Sequence, residues 1–216
     1  MISYAKWRRP FFWVIVLLII GVIGLWVYKD FFMPSTPQSS DMPRTISTDS
    51  ARNGTPPNDN EVHSYTVPAE HPRRMTITSV GINTLVKPVG ITAGGALDAP
   101  KTAWDVGWYK DSGLPGRSGA MLIDGHVNDS YNTPGVFADL KKTKPGDKIT
   151  VERGDGAIVL YSIVTVEQIP LAQVDMKRLL KPIQGSEGLN LITCGGSYDK
   201  KAATYSDRIL VFAKRA

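Results

Sequence analysis

This chain has very little cysteine, little histidine and little helical patterning. One cysteine, Cys194, in 216 residues excludes an intrachain disulfide and a cysteine-rich metal site. The three histidines, His63, His71 and His126, carry no metal-ligand spacing, so the sequence implies neither a metal nor another cofactor. No internal repeat is visible. The densest basic cluster, Lys141-Lys142-Thr143-Lys144, has no interleaved aromatics and runs into Pro145-Gly146-Asp147. It reads as a solvated turn, which speaks against a nucleic-acid surface.

What is present falls into three regions. Residues 1–30 carry a net charge of +3, residues 31–72 carry −3, and residues 73–216 carry +5. Residues 11–28 form eighteen apolar or glycine positions without a charge. At 1.5 Å per residue such a helix is about 27 Å long, enough to cross a hydrocarbon core. Trp7 and Trp13 lie near one end and Trp26 and Tyr28 at the other, as interfacial aromatics do. Lys6, Arg8 and Arg9 precede the run, which places residues 1–10 in the cytoplasm and the rest of the chain outside. A cleaved signal peptide has a shorter apolar core and a small-x-small cleavage site, whereas Phe31-Phe32-Met33-Pro34 follows here. The reading is an uncleaved single-pass signal-anchor in the cell membrane. Residues 29–72 are rich in Pro, Ser, Thr, Asn and Asp and poor in large apolar side chains, so they read as a flexible extracytoplasmic linker.

From Arg73 the pattern changes to short β-rich runs between turn signals. The runs are 75–82, 85–89, 104–109, 120–123, 148–152, 158–169, 189–193 and 208–213. About eight strands at this spacing predict a mainly β domain over 73–216, a closed or nearly closed barrel. Helix is limited to a turn or two at 134–140 and a short piece at 173–180.

The lone cysteine sits in Asn190-Leu191-Ile192-Thr193-Cys194-Gly195-Gly196, a strand-like run that the two glycines are expected to end. A thiol at a strand tip is rigidly held yet faces what lies beyond the sheet, which suits a nucleophile. The bland alternative is a small buried hydrophobe. His126 follows the apolar run Ala120-Met121-Leu122-Ile123-Asp124-Gly125 and is the only histidine within the barrel region. A cysteine needs a base or an imidazolium partner, and the two need meet only in space. Arg208 opens the last strand fourteen residues after Cys194. A hairpin-like return would set its guanidinium beside the thiol, where it could hold an oxyanion. Taken alone, Arg208 reads as a surface residue paired with Asp207.

Gly125-His126-Val127, Leu191-Ile192-Thr193-Cys194-Gly195-Gly196 and Arg208-Ile209-Leu210-Val211-Phe212-Ala213 together resemble the three signatures of the sortases. The resemblance covers about residues 73–216. Val89-Gly90, Gly107-Trp108-Tyr109 and Pro115-Gly116 look most like class F, while the placement of Arg208 matches class A and Ser206 stands where class F often has its arginine. Asp124 occupies a position that is usually small or apolar. The resemblance implies an eight-stranded sortase-type barrel and a cysteine transpeptidase or endopeptidase of the Gram-positive cell wall. Its partners would be secreted proteins with C-terminal Leu-Pro-x-Thr-Gly-like signals and an amine acceptor of peptidoglycan or its precursor. It further implies that Cys194 attacks the Thr carbonyl, that Arg208 holds the oxyanion, and that His126 moves the proton. Thr193 and the apolar Pro170, Leu171, Val174, Leu179 and Leu180 are then candidates for the substrate pocket, the apolar five also being suited simply to packing.

Asp124 and His126 are two apart, so in an extended strand they share a face, and a carboxylate there would favour imidazolium. Two other classes share parts of this pattern. An L,D-transpeptidase gathers His, Cys and Arg in one short block, and a papain-like peptidase places Cys before His; neither order fits. A membrane-tethered β-barrel binding module with a structural Cys194 is the remaining alternative.

Overall fold

The computed structural model describes residues 42–46 and 56–216. The expected membrane span at 11–28, the N-terminal tail and part of the linker lie outside the described residues. Among the described residues no helix is long and apolar enough to cross a membrane.

Among the described residues, ten strands and two short α-helices follow in order: β1 (Thr45–Ile46), α1 (Asp59–Ser64), β2 (Pro72–Ile77), β3 (Ile82–Val89), β4 (Ala96–Leu97), β5 (Val106–Tyr109), β6 (Gly119–Gly125), β7 (Lys148–Arg153), β8 (Ile158–Pro170), α2 (Met176–Leu179), β9 (Glu187–Asp199) and β10 (Thr204–Arg215). Eight of them close into a barrel in the order β10-β8-β7-β2-β3-β5-β6-β9. The pairs β3–β5 and β6–β9 are parallel and the others antiparallel. Closure leaves no long unpaired edge, which alternating strands of this kind otherwise expose.

Side chains alternate across each strand. Met121, Ile123, Leu189, Leu191, Val211 and Ala213 point into the barrel and join Met75, Ile149, Val151 and Tyr161 in its core. Their neighbours Leu122, Ile192, Leu210 and Phe212 point outward and form a second cluster with Val89, Leu97, Tyr109, Met176 and Leu179. Each fully buried side chain of this size contributes about 1.5–3 kcal/mol relative to exposure.

Three elements differ from the sequence expectation. The first run ends at Ile77, where a 3₁₀ turn over Thr78–Val80 breaks it before β3. The glycines after Cys194 do not end their strand: β9 runs on to Asp199. Gly196 sits at φ +75° and the register with β10 slips between Tyr205 and Asp207, so the pair makes a β-bulge, as glycine in this conformation does. A Cβ at Gly196 would also collide with Ser206 Oγ.

Residues 56–72, which composition assigns to the linker, are in fact built onto the barrel. Asn58 and Glu61 form a reciprocal capping box that starts α1. Tyr65 Oη donates to Val86 O at 2.9 Å, and His71 meets Trp108 edge-on at 4.9 Å. Lys87 Nζ also lies 3.4 Å over the Tyr65 ring, and His71 O and Ala69 O accept from Gly154 N and Asp155 N, so polar contacts seat a segment that lacks apolar area.

Candidate active site

Strand register brings the catalytic candidates together. Because β6 and β9 are parallel, their C-terminal ends lie at the same end of the barrel, with Asp124 level with Ile192. His126, two residues beyond Asp124, therefore emerges level with Cys194. Strand β10 returns antiparallel and places Arg208 directly opposite Cys194. The side chains of Cys194 and Arg208 share the outer face by alternation. A cavity of about 320 Å³ opens there, lined among others by Asp124, His126, Asn128, Thr193, Cys194 and Tyr205.

His126 is held on both sides. Its carbonyl accepts from Phe137 N at 2.9 Å, and its ring Nε2 lies 2.7 Å from Pro100 O. A carbonyl only accepts, so Nε2 carries the proton in this state and Nδ1 is the nitrogen left to exchange one. Burial lowers the basicity of the ring, and the Pro100 bond partly restores it. The Cys194 thiol is pushed up by burial, drawn back by the Arg208 guanidinium and pushed up again by Asp124. Both shifts favour a neutral thiol and a neutral imidazole at rest.

Arg208 is completely buried, not a surface residue paired with the Asp207 carboxylate. That carboxylate instead accepts from Gln168 Nε2 at 2.6 Å. Arg208 Nη1 donates to Tyr205 O at 3.0 Å and Asp207 O at 2.8 Å, and Nη2 donates to Thr204 Oγ1 at 3.1 Å. Nε has no partner and is shut off from water. The guanidinium is thus locked onto its own strand by three acceptors, with one charge-bearing donor unsatisfied. An unmet buried donor is costly unless something with negative charge arrives.

The groups that shift His126 are its burial and Pro100, whereas Asp124 acts on Cys194. The Asp124 side chain is buried, and its Oδ1 has no partner. That oxygen lies over Gly107, where a Cβ would strike it. Burial first, with the Asp98 charge adding to it and the Asp124 backbone bond opposing it, lifts the carboxyl well above the usual range and favours its protonated form. Alternation along β6 ends at Gly125, so the shared-face argument fails for the residue beyond the strand.

Thr193 points the other way from Cys194, and its Oγ1 donates to Gly125 O at 2.7 Å. It ties the Cys194 strand to the strand that ends just before His126 while also lining the cavity. The five apolar candidates lie apart from the cavity lining. Leu179 is fully buried and, with Val174 and Leu180, packs on the outer cluster; Pro170 is exposed and Leu171 half-buried. The segment is pinned by an Arg178–Glu167 fork at 2.7 and 2.6 Å and by Asn190 Nδ2 donating to Leu179 O and Lys181 O. Pro100, Asn128, Tyr198 and Tyr205 reach the site without having been anticipated. Only the tyrosines left a signal, one on each side of the turn after Cys194.

Comparison with known proteins agrees with this architecture. The profile of the sortase domain matches residues 75–216. The chain belongs to the sortase family, and by class it is a cysteine transpeptidase. It is similar to a Clostridium perfringens sortase D5 transpeptidase, with 20% identity over 73% of this chain and 86% of that one and a TM-score of 0.50. It is similar also to sortase C-1 of Actinomyces oris, with 24% identity, coverage of 66% and 72%, and a TM-score of 0.50. Sortase C1 of Streptococcus agalactiae gives 23% identity, 68% coverage of each chain and a TM-score of 0.51. No curated protein matches this chain.

Proposed function

We propose that this chain is a membrane-anchored sortase, most like class F, that cleaves a Leu-Pro-x-Thr-Gly-like signal between Thr and Gly. It then transfers the acyl half to an amine of the cell wall. The observation that carries the reading is that Cys194 and His126 line one cavity, with Arg208 buried directly opposite Cys194 on the neighbouring strand.

In this mechanism Cys194 Sγ, as thiolate, attacks the Thr carbonyl carbon. The oxyanion that develops is stabilised by the charge of the Arg208 guanidinium, whose buried Nε becomes reachable once substrate binding opens the site. His126, as imidazolium, gives a proton to the leaving Gly nitrogen, the C–N bond breaks, and a thioester remains on Cys194. An incoming amine attacks the thioester carbonyl, His126 takes its proton, and the C–S bond breaks to restore the thiolate. The apolar flank formed by Ile192, Val174, Leu180 and their neighbours suits the Leu-Pro part of the signal.

The test is cleavage by the purified full-length chain of a panel of quenched Leu-Pro-x-Thr-Gly peptides. The expected result is release of the Gly-containing fragment and a Cys194 thioester by mass spectrometry, both absent in Cys194→Ala. Failure of the wild type on the whole panel would overturn the reading. For the anchor, protease added to intact protoplasts is expected to free the active domain; a domain that stays protected would reverse the orientation drawn from Lys6, Arg8 and Arg9.

A further inference from the structure

The cavity has two unlike ends along β9. On one side of Cys194 lies Ile192, which belongs to the apolar outer cluster. On the other side the strand runs through the bulge to Tyr198, and the lining becomes polar: Asn128, Asp129, Tyr198, Thr204 and Tyr205. This polar end is walled by two segments from distant parts of the chain, the loop after His126 and the β9–β10 hairpin beyond Cys194.

A side-chain hydrogen bond joins the two walls. Tyr205 Oη donates to Asn128 Oδ1 at 2.9 Å, across 77 positions of sequence. Each partner is fixed from behind. The Tyr205 ring packs edge-on against Tyr198 at 5.2 Å, and its carbonyl accepts from Arg208 Nη1 at 3.0 Å. Asn128 Nδ2 donates to Asn132 Oδ1 at 2.8 Å, and Asn128 bridges to Pro134. A continuous chain of contacts therefore leads from Arg208 through Tyr205 and Asn128 to the loop that carries His126.

We propose that the Tyr205–Asn128 bond is a clasp that positions the incoming amine at the polar end of the cavity. The inference rests on the transpeptidase reading above. A signal's Leu-Pro part fits the apolar end, so the group leaving the acyl carbon must depart toward the other end. By microscopic reversibility the incoming amine arrives where the leaving amine left. Amide, carboxylate and phenol groups at that end suit a peptide backbone with a free amine. The clasp fixes the width of this end, and through it the approach of an amine relative to water. Tyr205 and Asn128 touch none of the reacting atoms in this scheme; they are positioning residues.

The experiment uses the full chain and its Tyr205→Phe, Asn128→Ala and Asn128→Asp variants with one cleavable signal peptide. Triglycine serves as the extended acceptor and hydroxylamine as the small one. Tyr205→Phe and Asn128→Ala are expected to release the leaving peptide within about twofold of wild type. Their ratio of triglycine adduct to hydrolysed product should fall about three- to tenfold, the worth of one neutral hydrogen bond. The half-saturating triglycine concentration should rise, while partition to hydroxylamine stays put. Asn128→Asp keeps the accepting oxygen and, with the Asn132 amide turned so that its Nδ2 donates to the carboxylate, should partition like wild type. A proportional fall of release and adduct together, or an unchanged triglycine ratio, would overturn the clasp. Amide hydrogen exchange decides the link independently of turnover: residues 127–133 should exchange faster in Tyr205→Phe, and unchanged exchange refutes the clasp even if wild type cleaves nothing. Inert wild type with faster exchange in the variant would instead sink the transpeptidase reading.

Discussion

The two faces of β6, β9 and β10 are made by the same three strands and could hardly differ more. The inward face is Met121, Ile123, Leu189, Leu191, Val211 and Ala213, and the polar Thr193 among them is satisfied by Gly125 O. The outward face interrupts its apolar residues with Asp124, Asn190, Cys194 and Arg208. Three buried polar atoms there, Asp124 Oδ1, Asn190 Oδ1 and Arg208 Nε, have no partner. Unmet buried groups cost stability and persist where something else over-determines the structure. The inward face supplies that margin, so alternation lets one set of strands hold the barrel and present a reactive surface.

Exchanging the roles of the two faces is the strongest test of this division. Arg208→Lys keeps the charge but loses the planar fork. It is expected to cut turnover about 100- to 1,000-fold, the range for losing an oxyanion donor. Its thermal midpoint should change much less than that of an inward-face variant. Leu191→Ala, on the inward face, should do the reverse, losing about 2–5 kcal/mol of stability while the folded fraction keeps its turnover per site. Denaturant melts and active-site titration of both variants check the pair. A strongly destabilised Arg208→Lys with normal turnover would break the comparison.

The smallest effect sharpens it. Asp124→Asn removes a buried carboxyl whose proton affinity rises on folding and whose charge raises that of Cys194. A raised folded value means the native state binds the proton more tightly, so wild-type stability falls as pH climbs from the unfolded value through the raised one. The Asn variant should therefore melt higher than wild type at neutral pH, the gap narrowing as pH drops toward about 4. In the rate profile, thiolate and imidazolium together give a plateau bounded below by the histidine value and above by the cysteine value. Burial moves these limits apart, which widens and lowers the plateau. Asp124→Asn should shift only the alkaline limb, toward lower pH. Movement of the acidic limb would restore a link between Asp124 and His126.

The sequence by itself determined the β-rich domain, the approximate positions of its eight strands and the three residues around which the site forms. Those features are local: alternation marks a strand, and a lone cysteine and histidine beside glycines are conspicuous wherever they fold. Tertiary structure decided what depends on register and burial. The parallel pairing of β6 with β9 and the antiparallel return of β10 set His126, Cys194 and Arg208 level with one another, which spacing along the chain does not specify. Burial turned Arg208 from a surface residue into a locked guanidinium, and it raised the proton affinity of the Asp124 carboxyl, which acts on Cys194. Gly196 became a bulge because a partner strand continued beside it. Residues 56–72, polar enough to stay in water, are held by contacts that the assembled barrel offers, Val86 O and Trp108 among them. Desolvation and cross-strand register are properties of the assembled barrel, and no single segment carries them.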